Sequence, residues 1–385
     1  MTDYLAEAKA IAPELTELRR AFHRCPELGN REHRTAARIE AFLASCGIPT
    51  KRLLDTAVFG TLTGERAGRT AALRADMDAL PLQEDTGADF ASEVSGVMHA
   101  CGHDVHMAAA LGAARLLAAH REELPGAVVF LFQPDEEGSG GAQRMIDAGV
   151  LDGVDAVFGC HVSPELPAGH VGVRYGKFYA ASDTFRVTLT GKSAHGAQRE
   201  KGVDALAAAS ELVPALLTLP ESLPQERSVV SVGTLHAGTA GNVVADHAEL
   251  TGIIRTLGQE SRKAMRSRFT RTVDIVARRH GVGCKCDLRE SYPGVVNDSG
   301  MTRLAQDAAS ALLGSDRVGV IAEPTMTTED FGCFLLQRPG SFYHVGAGCT
   351  LPLHNAAFLP DDSAVVTAAA VHAAVVDAFL RGDNT

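Results

Sequence analysis

Apolar positions follow two patterns in the first part of the chain. Residues that recur at helical spacing predict helices over 5–22, 34–46, 106–120 and 142–148. Continuous apolar runs predict strands buried on both faces over 70–73, 127–132 and 156–158. Because these strands alternate with helices, the pattern predicts an α/β layer whose sheet is mixed, mostly parallel and flanked by helices.

From about residue 182 the strand pattern becomes alternating rather than continuously apolar. The elements predicted there follow the order β-α-β-β-α-β, over 183–190, 205–217, 228–235, 248–256, 261–280 and 284–290. That order is the ferredoxin-like arrangement of an α+β domain. Beyond Pro293 the α/β pattern returns, with helices over 302–313, 330–336 and 363–380 and a strand over 342–345. We therefore predict a discontinuous α/β domain, 1–181 and 293–385, with a second domain, 182–292, inserted into it.

Composition narrows the classes of partner. The chain has 385 residues, a formal net charge of −11 and 45% hydrophobic residues, which is typical of a globular protein. An acidic chain without a Lys/Arg-rich block offers little to nucleic acid or to a membrane surface, so we expect neither as a partner. Charged residues interrupt the apolar pattern of residues 1–18, unlike a signal peptide, and eight cysteines are too sparse for a disulfide scaffold. We expect a cytoplasmic protein with reduced cysteines.

The first candidate chemistry lies just before a predicted helix. Cys101 and His103 stand two positions apart around a glycine, a spacing that lets a thiolate and an imidazole turn toward one cation. Glu136 and Glu137 follow the strand over 127–132 at its carboxyl end. Two adjacent carboxylates repel each other unless a cation neutralises one of them. Both segments therefore suggest a bound metal ion.

Two histidines strengthen this interpretation. His161 and His354 follow predicted strands, and open α/β sheets bind their ligands at the carboxyl ends of the strands. Taken singly, each histidine could be an ordinary core or surface residue, and the two glutamates could be a solvated loop tip. The coincidence of such groups at several strand ends indicates a metal site.

The number of candidate ligands favours two ions. One tetrahedral site with an open position cannot use all five of the following residues: Cys101, His103, Glu137, His161 and His354. If Cys101 and a water both bridge, they supply about eight bonds to two four-coordinate ions, the arrangement of two-metal hydrolases. Glu136 then stays unbound beside the ions, where it can move a proton.

At this point the chain resembles a known family, the metal-dependent amidohydrolases of the aminoacylase and carboxypeptidase M20 group. The branch it is most similar to contains hippurate hydrolases, indole-3-acetyl-amino-acid hydrolases and N-acetyl-diaminopimelate deacetylases. The resemblance covers nearly the whole chain and is carried by His23, Asn242 and segments 18–20, 26–28, 74–81, 99–104, 132–138, 191–196, 328–331 and 352–355. The chain departs from the family pattern mainly at Asp135, where a small residue is usual, and at Val105, Met107 and Gly196.

The resemblance implies a role for each candidate residue. The five ligands named above would bind two divalent ions (Zn, Mn, Ni or Co), and Glu136 would be the catalytic acid/base. Asp78 is similar to a carboxylate that orients the ligands, although it could instead cap a helix or turn. His195 is similar to the histidine of the inserted lid domain that polarises the scissile carbonyl, often in the partner subunit's site, although it could be a surface-loop residue. Asn242 and Arg255 resemble residues that hold the substrate carboxylate, although Arg255 could be only a solvated charge.

These implications amount to one functional hypothesis. We expect a dinuclear metal hydrolase that cleaves the amide bond of N-acyl amino acids, whether hippurate-like, N-acetyl or N-arylacyl. A homodimer or higher homo-oligomer is expected, because the inserted domain has exposed sheet edges and C₂ dimers are the commonest assembly. One alternative is a metallodipeptidase or carboxypeptidase. The other is a non-catalytic, metal-binding regulatory protein, against which Glu136 argues.

Overall fold

Strand β3 lies near the middle of an eight-stranded mixed sheet in the first of two units into which the chain divides. The computed structural model describes residues 2–382. In side-by-side order the strands are β1 (Thr50–Leu53), β2 (Ala57–Thr63), β4 (Pro125–Gln133), β3 (Arg66–Asp76), β5 (Ala156–Ser163), β14 (Gly340–Gly346), β6 (Val171–Val173) and β13 (Val318–Val320). The central strands β4, β3, β5 and β14 run parallel to one another. Their carboxyl ends therefore meet at one edge of the sheet.

Helices cover this sheet. They are α1 (Tyr4–Ala10), α2 (Ala12–Arg24), α3 (His33–Ser45), α4 (His103–Ala119), α5 (Ala142–Asp147), α8 (Ser299–Leu313), α9 (Gly332–Leu335) and α10 (Ser363–Arg381), with a short 3₁₀ helix at Ser315–Arg317. The mostly parallel α/β class predicted from the sequence is confirmed. Helix α10 is long and apolar enough to cross a membrane, but 83% of its apolar window is buried inside the protein, as in the core helix of a globular domain.

Some boundaries differ from the predicted ones for clear reasons. The helix predicted over 5–22 is interrupted at Ile11, and α2 begins with Pro13 in its first turn, where a missing N–H costs least. Helix α4 begins at His103 rather than at residue 106, so the polar residues His103 and Asp104 form a buried first turn. The sequence did not predict strands β1, β2, β6, β13, β7 (Gly176–Tyr179) or β12 (Val295–Asn297). Strand β1 is largely polar and partly exposed, and β6, β12 and β13 are only three residues long.

The second unit comprises Lys177–Val295 and Glu323–Glu329. Its elements are β8 (Ala181–Thr190), α6 (Ala205–Leu217), β9 (Ser228–Ala237), β10 (His247–Thr256), α7 (Gln259–His280) and β11 (Gly283–Glu290), with 3₁₀ helices at Gly196–Lys201 and Leu219–Ser222. The four strands form an antiparallel sheet in the order β11-β8-β10-β9. Two short strands, β7 (Gly176–Tyr179) and β12 (Val295–Asn297), lie where the chain passes between the units.

A separate apolar core holds the second unit together. Phe185 of β8 packs against Phe269 of α7, with 4.6 Å between the ring centroids. Leu212 of α6 and Leu250 of β10 join the same buried cluster. The observed order is the β-α-β-β-α-β succession that the alternating pattern predicts.

Candidate metal centre

The carboxyl edge of the parallel strands collects the predicted metal ligands. His161 lies near the end of β5, and Glu137 follows β4. Cys101 and His103 stand at the start of α4, separated by Gly102, whose φ of 84° is left-handed. A Cβ at Gly102 would lie 2.4 Å from the Val162 side chain. Glycine therefore permits both the backbone turn and the close approach to β5.

The five residues form two groups that share one sulfur. Cys101, His103 and His161 offer ligand atoms within 4.8 Å of one another, and so do Cys101, Glu137 and His354. Cys101 Sγ lies 3.4 Å from His161 Nε2 and 3.3 Å from His354 Nε2. Glu137 Oε1 lies 3.0 Å from His354 Nε2. Such separations are those of ligands around common ions, with the Cys101 sulfur between the two groups.

Hydrogen bonds orient two of the imidazoles toward these groups. His103 Nδ1 donates to the Asp78 carbonyl at 2.8 Å, and His161 Nδ1 donates to the Val162 carbonyl at 2.7 Å. In each ring, Nε2 is therefore the nitrogen that could bind a metal ion. Among the described residues, His103 Nε2 is one of the buried side-chain atoms without a hydrogen-bond partner. Unpaired buried polar atoms of this kind fit a metal site.

The electrostatics of Cys101 also call for a cation. Burial and the carboxylates of Glu137 and Glu136 raise the pKa of the Cys101 thiol well above its usual value. A thiolate at this position therefore requires positive charge beside it. Thiolate, imidazole and carboxylate together suit Zn and other divalent transition ions, so the donor set fits the predicted pair.

Glu136 lies beside the two groups without belonging to either group that contains Cys101. Its carboxylate is within ligand distance of His103 and Glu137, and it is only 7% exposed. Glu136 Oε1 accepts a hydrogen bond from the Asp330 backbone N–H at 3.4 Å. This position suits a group that takes and gives a proton next to bound ions.

Asp78 contacts the backbone that carries both glutamates. Its two carboxylate oxygens accept from the N–H groups of Glu136 and Glu137, each at 3.0 Å. Because its own carbonyl also accepts from His103, Asp78 links the β4 segment to the start of α4. These contacts hold the backbone of Glu136 and Glu137 next to His103.

A further buried pair next to His103 was not singled out from the sequence. His106 Nδ1 donates to Asp76 Oδ1 at 2.6 Å, and His106 Nε2 accepts from the Val162 N–H at 2.9 Å. Both ring nitrogens are thus engaged, so the cluster of Asp76, His103 and His106 is not a third ion site. The spacing of His103 and His106 could have drawn attention to His106, since residues i and i+3 of a helix lie on one face, but it does not identify Asp76 as its partner.

Two ion-pair networks hold the segments of the centre in place. Arg74 Nη1 bonds Asp76 at 2.6 Å and its Nη2 bonds Asp330 at 2.9 Å. On the other side, Asp104 accepts from Arg19 Nε at 2.7 Å and from His23 Nδ1 at 2.8 Å. Burial would raise the pKa of Asp104, but these two cations hold it well below its usual value.

The second unit contains the three remaining candidates. His195 is exposed, and its Nδ1 accepts from the Ala197 N–H at 3.1 Å. A neutral ring that accepts at Nδ1 carries its proton on Nε2, so His195 presents an N–H donor. Asn242 lies beside it, and its carbonyl accepts from the Gly196 N–H at 2.7 Å. Arg255 lies elsewhere, on β10, where its guanidinium bonds the Ser182 hydroxyl.

Known proteins are similar to this chain over most of its length. The profile of Peptidase family M20/M25/M40 matches residues 72–378. The chain is 38% identical to the N-acetyl-L-cysteine deacetylase of Bacillus subtilis, over 93% of this chain and 86% of the relative. It is 35% identical to thermostable carboxypeptidase 1 of Saccharolobus solfataricus, over 97% of both chains.

A solved structure has the same architecture. The Bacillus subtilis YXEP protein, described as a dinuclear metal binding peptidase from the M20 family, superimposes with a TM-score of 0.87 and 36% identity. The superposition covers 97% of this chain and 99% of that one.

Proposed function

The chain belongs to peptidase family M20/M25/M40, and from that premise we propose that it cleaves the amide bond of N-acyl amino acids with two divalent ions. The products would be a carboxylic acid and a free amino acid. One observation carries the proposal: two three-residue ligand groups share Cys101 Sγ, with Glu136 beside them. That arrangement is typical of a two-metal hydrolytic site.

The chain's own residues divide the work of the reaction. Cys101, His103 and His161 would hold one ion, and Cys101, Glu137 and His354 the other. When bound, such ions polarise a carbonyl and lower the pKa of water. Glu136 accepts the proton of the attacking water and passes it to the leaving nitrogen. Asp78 keeps the backbone of Glu136 and Glu137 fixed during this transfer, through its two hydrogen bonds.

Residues of the second unit would take the remaining roles. His195 presents Nε2–H as a donor to the scissile carbonyl oxygen, which gains negative charge in the transition state. Asn242 and Arg255 would hold the carboxylate of the amino acid, for which a guanidinium fork is well suited. Edge strands β9 and β11 each have one neighbour in the described sheet, which supports a homodimer or higher homo-oligomer with His195 serving the partner subunit's site.

The substrate itself is a small molecule with an acylated amino group. The relative described as an N-acetyl-L-cysteine deacetylase supports an N-acetyl substrate, and the motifs of the hippurate hydrolase branch support larger acyl groups. The relative described as a carboxypeptidase favours a second candidate, cleavage of peptides at a free carboxyl end. We also propose a cytoplasmic setting, in which the eight sparse cysteines of the chain would stay reduced.

A substrate panel tests these proposals. The protein is reconstituted with Zn, Mn, Ni or Co and offered N-acetyl, N-benzoyl and N-indolylacetyl amino acids beside free dipeptides and N-blocked dipeptides, with ninhydrin detection of the amine released. Release from N-acyl amino acids with little from free dipeptides supports the main proposal. Preferential cleavage of either peptide class would replace it with peptidase activity. Metal binding without turnover of any substrate would favour a regulatory role.

A further inference from the structure

Asp135, the residue immediately before Glu136, has an unusual backbone. Its φ of 59° lies in the left-handed region, which residues other than glycine rarely adopt. This conformation turns the chain sharply where it leaves β4, so it directs both Glu136 and Glu137. A left-handed aspartate persists only where surrounding contacts hold it.

Two buried carboxylates bind the backbone at this turn. The N–H of Asp135 donates to Glu32 Oε1 at 3.0 Å. The next two N–H groups, of Glu136 and Glu137, donate to Asp78 at 3.0 Å each. Glu32 is 0% exposed and Asp78 is 2% exposed. Three consecutive amides are therefore held by buried carboxyl oxygens away from water, where an unpaired N–H would be costly.

The side chain of Asp135 accepts hydrogen bonds from residues that follow it in the chain. Asp135 Oδ2 accepts from the Ser139 hydroxyl at 2.5 Å and from Arg144 Nη2 at 3.1 Å. A Cβ at Gly29 or at Gly138 would lie 2.2 Å from Asp135 Oδ1. The loop is thus tightly packed around Asp135, and the bond from the Asp135 N–H to Glu32 is one of the contacts that hold its backbone.

Glu32 is not engaged in capping the helix it precedes. It occupies the position before α3, yet its side chain makes no capping hydrogen bond there. Glu27 provides that function instead, since its Oε2 accepts from the backbone N–H of Thr35 at 2.8 Å and from its hydroxyl at 3.0 Å. The buried carboxylate of Glu32 points to Asp135, 103 residues away along the chain.

We propose that Glu32 is a positioning residue which, by accepting the Asp135 N–H, sets the orientation of the catalytic base Glu136 and the metal ligand Glu137. It acts through the backbone and contacts neither group directly. The proposal rests on the proposed function for the roles of Glu136 and Glu137. The placement of the loop itself can be measured without any turnover.

Three substitutions of Glu32 separate the effects of its hydrogen-bond acceptor, its charge and its length. Glu32→Gln keeps an oxygen acceptor at the same reach, Glu32→Asp keeps the charge but is one methylene shorter, and Glu32→Leu removes the acceptor. In the metal-free full chain, we expect the Leu and Asp variants to exchange the amides of 135–140 with deuterium roughly tenfold faster or more. The Gln variant should stay close to the parent. Glu27→Leu is the matched control, because it removes the α3 cap and should leave exchange at 135–140 unchanged.

Metal affinity and kinetics provide the second readout. For the Leu and Asp variants, we expect Zn²⁺ affinity, measured by chelator competition, to fall about 10–100-fold. Turnover of an N-acetyl amino acid should show kcat reduced roughly tenfold or more at nearly constant KM, with recovery in the Gln variant. Parental exchange and affinity in both the Leu and Asp variants would overturn the proposal, as would a Gln variant as impaired as Leu. If the parent turns over no substrate, exchange and Zn²⁺ affinity still decide it.

Discussion

Cys101 Sγ lies 3.3 Å from His354 Nε2, although the two residues are 253 positions apart along the chain. The same sulfur is close to His161 on its other side. Because one atom belongs to both ligand groups, removing it should affect both ions rather than one.

Cys101→Ala should therefore lose most of its bound divalent metal, and its activity with it. The measurement is metal content per chain by mass spectrometry after reconstitution and desalting, beside turnover of an N-acyl amino acid. Cys46→Ala, which alters a half-buried cysteine just after α3, serves as the control and should bind metal like the parent. Parental metal content in Cys101→Ala, together with persistent turnover, would show that the two-metal assignment is wrong.

Glu136→Gln should keep its metal and its substrate affinity while kcat falls by roughly 10² or more, the scale on which loss of a general acid/base is felt. The amide has nearly the same size as the carboxylate but cannot accept the proton of water. Steady-state kinetics and metal analysis on the same preparation separate the two effects. Turnover close to that of the parent would assign proton transfer to another group.

His195→Ala and Glu136→Gln should each be nearly inactive alone, yet a mixture after subunit exchange should recover part of the activity. In a mixed dimer, one site would combine an intact base with an intact carbonyl donor from the partner. Native mass spectrometry establishes that mixed dimers have formed, and turnover is then measured on the same sample. Mixed dimers without recovered activity would mean that His195 acts within its own subunit or has no part in the reaction.

The ion pair of His23 with Asp104 should make stability depend on pH in the alkaline range. Burial lowers the pKa of His23, but the carboxylates of Asp104 and Glu84 outweigh it and raise the value to about 9. A raised folded-state pKa stabilises the native protein fully below about 6.5, the unfolded value, and this contribution disappears as the pH rises through about 9. Its size is roughly 3 kcal/mol.

Denaturant unfolding at several pH values measures this effect. The difference in free energy of unfolding between the parent and His23→Gln should be greatest below about pH 6.5 and should shrink steadily toward pH 9. His120→Gln is the control, because His120 pairs with Glu7 near the surface, and such exposed pairs contribute little. A difference that stays constant over this range would contradict the assigned ionisation of His23.

The architecture was predictable because its signals are local. Continuous apolar runs predicted β4 and β5. In the second unit, alternating apolar positions predicted the strands and apolar positions at helical spacing predicted the helices, which together gave the order of the elements. The start of α4 was predicted three residues late, since His103 and Asp104 are polar and fall outside the apolar pattern of the helix. They are buried because Asp104 pairs with Arg19 and His23, and a pattern along the chain does not show such distant partners.

In the candidate site, too, residues with a local sequence signal were predictable and residues with distant partners were not. Its five ligands were predicted because each lies close to a predicted strand end or helix start, and the structure places them in two groups that share Cys101. Glu32 gave no such signal, since no motif includes it and its partner is 103 residues away along the chain. Asp76 lies in segment 74–81, which carries the family resemblance, but its bond to His106 depends on how α4 packs beside β3.

The wide separation of Cys101 and His354 along the chain also couples metal binding to folding. An unfolded chain offers these ligands only as scattered, individually weak groups, so the ions bind the native state far more strongly than the unfolded one. Metal supply would then set how much of the protein remains folded, and a chelator would lower its thermal stability as well as its activity. Scarcity of divalent metal in a cell would thus reduce the lifetime of this protein and not only its rate.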